Sequence, residues 1–99
     1  MKMKQNMIRG KIIEFLHHIY PEGADQRSLV SCFYEYHKYD DIVQALEYLA
    51  DKGYISRKEF PHPYKKNERV SLYKLTANGM DLYEGTIVDP AVPIIAEES

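Results

Sequence analysis

Arg57, Lys58, Lys65, Lys66 and Arg69 place five cations between positions 57 and 69, with His62 and Tyr64 among them and Pro61 and Pro63 beside them. Such a cluster at the tip of a strand-loop-strand unit has reach for phosphates, and each phosphate it neutralises releases condensed counterions. The bland counterpart is a solvated hairpin whose lysines discourage edge-to-edge pairing. A second group of polar residues precedes it. Gln26, Arg27 and Ser28 open a helical stretch, where a phosphate meets unpaired backbone N–H groups. Lys38 and Tyr39 follow in a turn, and Gln44 and Tyr48 lie on the next helical stretch. Gln44 has the amide geometry to pair with adenine, and Tyr39 can donate to a phosphate. Tyr48 fits either that surface or the margin of a core.

Catalytic chemistry finds no comparable footing. His17 and His18 are adjacent, so a helix points them in different directions. Glu14 shares a face with His18, but no second ligand pair at metal spacing accompanies them. Cys32 falls on an apolar stripe with Leu29 and Phe33, where a small buried thiol is expected. No glycine-rich phosphate loop and no serine or carboxylate constellation appears. The expectation is a non-enzyme without metal or cofactor.

Size and charge agree with a small binding module. Ninety-nine residues, 44% of them hydrophobic and 28% charged, describe one soluble domain with a modest core. No apolar run approaches the roughly 18–20 residues that span a bilayer, and the N-terminal stretch lacks the features of a secretory signal. One cysteine permits no internal disulfide and suits a reducing, cytoplasmic setting. The net charge of −2 is unevenly spread. Residues 1–75 hold all thirteen bases against ten acids, a net +3, and residues 76–99 hold five acids and no base. A mildly basic body with an acidic tail is compatible with nucleic acid as a partner.

The elements that must position these residues follow from periodicity. Met3, Met7, Ile8, Ile12, Phe15 and Ile19 recur near helical spacing, with Ile13, Leu16 and Tyr20 widening the face, so a first helix is expected over about residues 4–20. Gly10 lies inside it and marks close packing or a later helix start. Residues 23–26 offer a short first strand. Asp25 suits the N-cap of a second helix over about residues 26–36, and Asp40 that of a third, ended by Gly53. Ile42, Leu46 and Leu49 form its buried stripe, with Tyr39, Gln44, Ala45 and Tyr48 lying away from it. Residues 54–60 and 70–75 alternate and read as a hairpin, its loop kept out of the ladder by Pro61 and Pro63. Thr76 caps a last helix to about residue 84. Tyr20, Tyr36, Tyr54, Tyr73 and Tyr83 read as core aromatics. Residues 1–84 then form the domain, and residues 85–99, with Ile87, Val88, Val92, Ile94 and Ile95, a loose tail or an arm for a neighbouring molecule.

The pattern Leu46-x-x-Leu49-x-x-x-Gly53-Tyr54-Ile55, followed after the cationic loop by Tyr73-x-Leu75-Thr76-x-x-Gly79, resembles the winged helix-turn-helix superfamily of bacterial regulators, of the MarR and PadR type. The ending Tyr83-Glu84-Gly85-Thr86-Ile87-Val88-Asp89-Pro90 also looks like small helix-turn-helix proteins of prophages. The resemblance covers about residues 8–84. It implies an α+β winged helix, a double-stranded DNA partner, a homodimer and a role in transcription. Helix 40–52 would lie in the major groove and the wing, 57–69, on phosphates. The third helix nevertheless carries Asp40, Asp41, Glu47 and Asp51 against Lys52. Carboxylates repel a phosphate backbone, though Asp and Glu can read a cytosine amino group. The alternative is a winged helix that uses those acids to bind a basic protein partner and leaves DNA alone.

Overall fold

Ile8, Ile12, Ile13 and Leu16 sit three, four or one residue apart, so a helix gathers them on one side. In the computed structural model, which describes residues 2–95 with side chains from Asn6 onward, α1 (Lys2–Ile19) does so and leaves all four inaccessible to solvent. After it come β1 (Ala24–Asp25), α2 (Gln26–Phe33), α3 (Tyr39–Asp51), β2 (Ile55–Pro61), β3 (Arg69–Leu75) and α4 (Ala77–Glu84). The class is α+β: four helices on a three-stranded antiparallel sheet of order β1-β3-β2. Leu29 of α2, Ile42, Leu46 and Leu49 of α3, and Tyr73 and Leu75 of β3 meet α1 in one core.

Local chemistry sets the boundaries. Asp25 accepts from the Ser28 amide at 3.2 Å and the Ser28 hydroxyl at 2.7 Å, capping α2. These bonds, led by the Ser28 hydroxyl, hold its carboxyl below the usual Asp range. Thr76 accepts from Gly79 N–H at 3.1 Å and donates its hydroxyl to the Gly53 carbonyl, joining the start of α4 to the end of α3. Gly53 takes φ +84°, the left-handed conformation that ends a helix without a Cβ penalty. Two expected boundaries shift. α2 stops at Phe33, and residues 34–36 form a turn. α3 starts at Tyr39 with Lys38 at its N-cap and no side-chain cap, so Asp40 acts on the helix dipole from the first turn.

Pro61 is a strand residue rather than part of the loop, pairing with Arg69 at the end of the ladder. His62 N–H donates to the Glu68 carbonyl at 2.8 Å, so by alternation position 61 faces its nitrogen away from β3. β2 is an edge strand, and no donor is lost there.

Residues 85–95 fold back onto their own chain. Val92 is only 1% exposed, and Ile87 and Ile94 pack against the core. Arg9 donates to the Ala91 carbonyl at 3.1 Å. The chain crosses α1 at Gly10, where an added Cβ would lie far inside contact distance of the Pro93 carbonyl oxygen. Close packing is therefore the reason for a glycine in mid-helix. Of the apolar residues in this arm, Val88 and Ile95 remain open to solvent.

Asp89 anchors the arm. It accepts from the Tyr54 hydroxyl at 2.7 Å and the Ala91 amide at 2.9 Å, and pairs with Lys52 at 3.4 Å. The Tyr54 bond leads in holding the Asp89 carboxyl below its usual range, and that same bond, with burial, pushes the Tyr54 phenol up to about 12. A phenol whose folded value exceeds its ordinary 10.0 stabilises the fold fully below that value and loses the contribution as pH rises through about 12. The stability difference between the wild type and Tyr54→Phe should therefore be constant from pH 7 to 9 and shrink above pH 10. Urea titrations across that range check it; a difference that stays constant to pH 12 would remove the Tyr54–Asp89 bond from the account.

Candidate nucleic-acid interface

The hairpin cations do not form one uniform group. The register sets Arg57, Glu59 and Arg69 on the face shared with Tyr73, whereas Lys58, opposite Leu72, projects from the other. Glu59 bridges the two arginines, at 2.7 Å to Arg57 and 3.2 Å to Arg69. Both pairs are solvent-exposed, so they orient the guanidinium groups more than they stabilise the fold. Among the described residues no carboxylate pairs with Lys58, Lys65 or Lys66. These three are uncommitted cations at or near the hairpin tip.

Its tip is ordered from within. The His62 ring accepts through Nδ1 from the Tyr64 amide at 3.0 Å and the Lys65 amide at 3.1 Å. Asn67 takes φ +66°, a left-handed conformation that asparagine tolerates better than most residues. These bonds lift Tyr64 into solvent, 91% exposed and meeting the His62 ring edge-on at 6.2 Å.

A groove of about 830 Å³ separates this tip from the start of α2 and the first residue of α3. Arg27 and Tyr39 line one side, and Tyr64 and Arg69 the other, with Val30 and Val70 among its apolar lining. Gln26 braces the helices behind it. Its amide nitrogen donates to the Tyr39 hydroxyl and its oxygen accepts from the Tyr73 hydroxyl, each at 3.3 Å. Burial leads in raising the Tyr73 phenol above its ordinary range. Gln26, expected as a phosphate anchor, is thus engaged in fixing α2, α3 and β3 together.

On α3, Asp40, Gln44, Glu47 and Asp51 are all exposed and follow four-three-four spacing, which puts them on one face. Ala45 was expected away from the core stripe, but it is buried with Ile42, Leu46 and Leu49. Its place beside Leu46 widens that stripe. Tyr48 is half-buried under Arg9, whose guanidinium lies 3.8 Å from the ring centroid, with Lys52 at 5.9 Å. It belongs to the α1 side of the helix and leaves the outer face to Gln44. Lys38 is exposed at the N-cap.

Three other expectations need correction. Cys32 is exposed, because α2 turns Leu29 rather than Cys32 to the core. Tyr20 and Tyr36 are exposed, Tyr36 at 72%, since the turn after Phe33 carries Tyr36 out of any helical stripe. His18 stays exposed while Glu14 pairs with Lys11 at 3.7 Å, and His17 stacks on Tyr83 with centroids 4.0 Å apart. Among the described residues no cluster of three His, Cys, Asp or Glu could hold a metal ion, and no helix is long and apolar enough to cross a membrane. The groove itself escaped sequence reasoning. Arg27 and Arg69 are 42 positions apart, and the short β1, pairing beside Leu72 and Tyr73, with the Gln26–Tyr73 bond, brings their elements together.

Compared with known proteins, the chain matches no family model, no curated protein and no solved structure.

Proposed function

We propose that this chain is a winged-helix DNA-binding protein, a small transcriptional regulator of bacterial or phage type working in the cytoplasm. The observation that carries the reading is the hairpin: Lys58, Lys65 and Lys66, without carboxylate partners among the described residues, on a tip that its own hydrogen bonds hold in shape. In this reading the hairpin is the wing and clamps the phosphate backbone, with Arg27 at the start of α2 supplying a further contact. The first turn of α3 approaches the major groove through Tyr39 and Gln44. A preformed tip pays less ordering entropy on binding than a floppy loop. A two-fold dimer would double the base pairs touched, and because the arm is folded onto its own core, α1 or α4 would supply the contact.

The test is fluorescence anisotropy of a labelled duplex at rising salt. Four or more phosphate contacts give a log–log slope steeper than about −3, at roughly −0.9 per contact. Absence of binding at low salt would sink the reading.

One observation favours a second reading. The outward face of α3 carries Asp40, Glu47 and Asp51 with no cation among them, a surface suited to a basic protein partner. Asp40→Asn with Glu47→Gln separates the two. Affinity for duplex DNA should rise several-fold under the first reading, whereas under the second the same change removes the partner's anchor.

A further inference from the structure

We propose that the groove between the hairpin tip and the start of α2 holds an unpaired stretch of nucleic acid, with Tyr64 and Tyr39 stacked on its bases. The inference rests on the nucleic-acid reading above and names the form of nucleic acid the groove takes.

Size comes first. A volume of about 830 Å³ lies within the roughly 300–1,000 Å³ of pockets for single small molecules. One or two nucleotides fit such a space and a double helix does not. Aromatic placement comes second. Tyr64 and Tyr39 line the groove from opposite sides and remain 91% and 53% exposed, so apart from the edge contact of Tyr64 with His62 their rings are open to a base. A paired, stacked base offers a protein its edges in the two grooves. An unpaired base offers its face, and aromatic side chains of a cationic groove take that face without regard to sequence.

Charge comes third. Arg27 and Arg69 line the groove, and Arg69 meets Glu59 only through Nε, leaving its terminal nitrogens for a phosphate. The lining also holds two acids, Asp25, whose oxygens are both bound to Ser28, and the exposed Glu68, so the two arginines are balanced in formal charge and act on a phosphate by direct contact. None of Asp40, Asp41, Glu47 and Asp51 lines it. A single strand in this groove therefore avoids the acidic face that a major-groove approach must meet.

The experiment compares a labelled oligothymidine with a duplex of equal length on the wild type, Tyr64→Ala and Tyr64→Phe. Because Tyr64 is almost wholly in solvent, neither substitution disturbs the fold. The wild type should bind the oligothymidine. Tyr64→Ala should weaken that binding about tenfold and Tyr64→Phe less than about twofold, and in Tyr64→Ala the loss on the oligothymidine should exceed the loss on the duplex several-fold. Duplex binding without oligothymidine binding overturns the inference and leaves the DNA-binding reading intact, whereas binding of neither brings down both. Equal weakening on the two DNAs by Tyr64→Ala, or none on either, also overturns it.

Discussion

Deleting residues 86–99 should lower the thermal midpoint by about 15 °C, corresponding to a loss near 3 kcal/mol at roughly 4–8 °C per kcal/mol for a domain of this size. Burying a valine such as Val92 contributes about 1.5–3 kcal/mol, and the charge-assisted Tyr54–Asp89 bond about 1.5–3 kcal/mol more. Against these stands the chain entropy that the deleted residues regain, roughly 1–2 kcal/mol for each one ordered, offset in turn by their backbone contacts. Gly10→Ala isolates the cause. In an ordinary helix interior alanine is more favourable than glycine by about 1 kcal/mol, so a destabilised Gly10→Ala protein identifies the collision with Pro93. A truncated protein within a degree or two of wild type, together with a Gly10→Ala midpoint raised by several degrees, would mean that residues 86–95 contribute nothing to the fold in solution. Sedimentation of the truncated protein completes the test, since an arm folded on its own core has little apolar surface left to hold a partner.

The second large effect belongs to the hairpin tip, the wing of the proposed function. Lys65→Glu with Lys66→Glu replaces two uncommitted cations by two anions at an exposed tip. Duplex affinity at low salt should fall about a hundredfold, and the salt slope should lose about 1.8, two contacts' worth. Stability should stay within about 0.5 kcal/mol, because neither lysine has a partner to lose. Unchanged affinity in the folded double variant would dismiss the wing as the contact and turn attention to the acidic face of α3. Arg57→Ala is a weaker probe. It also releases Glu59, so part of its effect would come from a freed carboxylate rather than a lost cation.

Much of the architecture was legible because it is written in short-range signals. Asp25 and Thr76 stand three residues before the amides they cap, Gly53 stops α3 where the apolar spacing ends, and Ile42, Leu46 and Leu49 repeat with the helix. The positions that carry the family resemblance are of this kind. Leu46, Leu49, Tyr54, Ile55, Tyr73 and Leu75 are buried, Gly53 and Thr76 shape helix ends, and Gly79 lets α4 approach the Tyr54 carbonyl. They specify packing, so the pattern speaks for architecture and carries no operator-reading residue. The arm was not legible, since it depends on Gly10 meeting Pro93 across most of the chain. Nor was the pairing of Arg57 and Arg69 with Glu59, which requires the hairpin register before any distance can be judged. Tyr36 was misplaced because α2 ends early, which moves the side chains after Phe33 off the helical stripe, and Cys32 because α2 turns Leu29 alone fully inward.

The bracket formed by Tyr73, Gln26 and Tyr39 has a direction. The amide oxygen of Gln26 can only accept, so Tyr73 must give it its proton; the amide nitrogen can only donate, so Tyr39 receives. Each group passes its hydrogen outward from the sheet toward the surface, and the last one in the series, on the Tyr39 oxygen, has no acceptor among the described residues. The relay therefore presents a proton donor at the groove and makes it more polar through the bonds behind it. A phosphate oxygen or a base carbonyl satisfies that donor. The bond from Gln26 already takes one lone pair of the Tyr39 oxygen, so the hydroxyl's free hydrogen is the group it offers an acceptor at the groove.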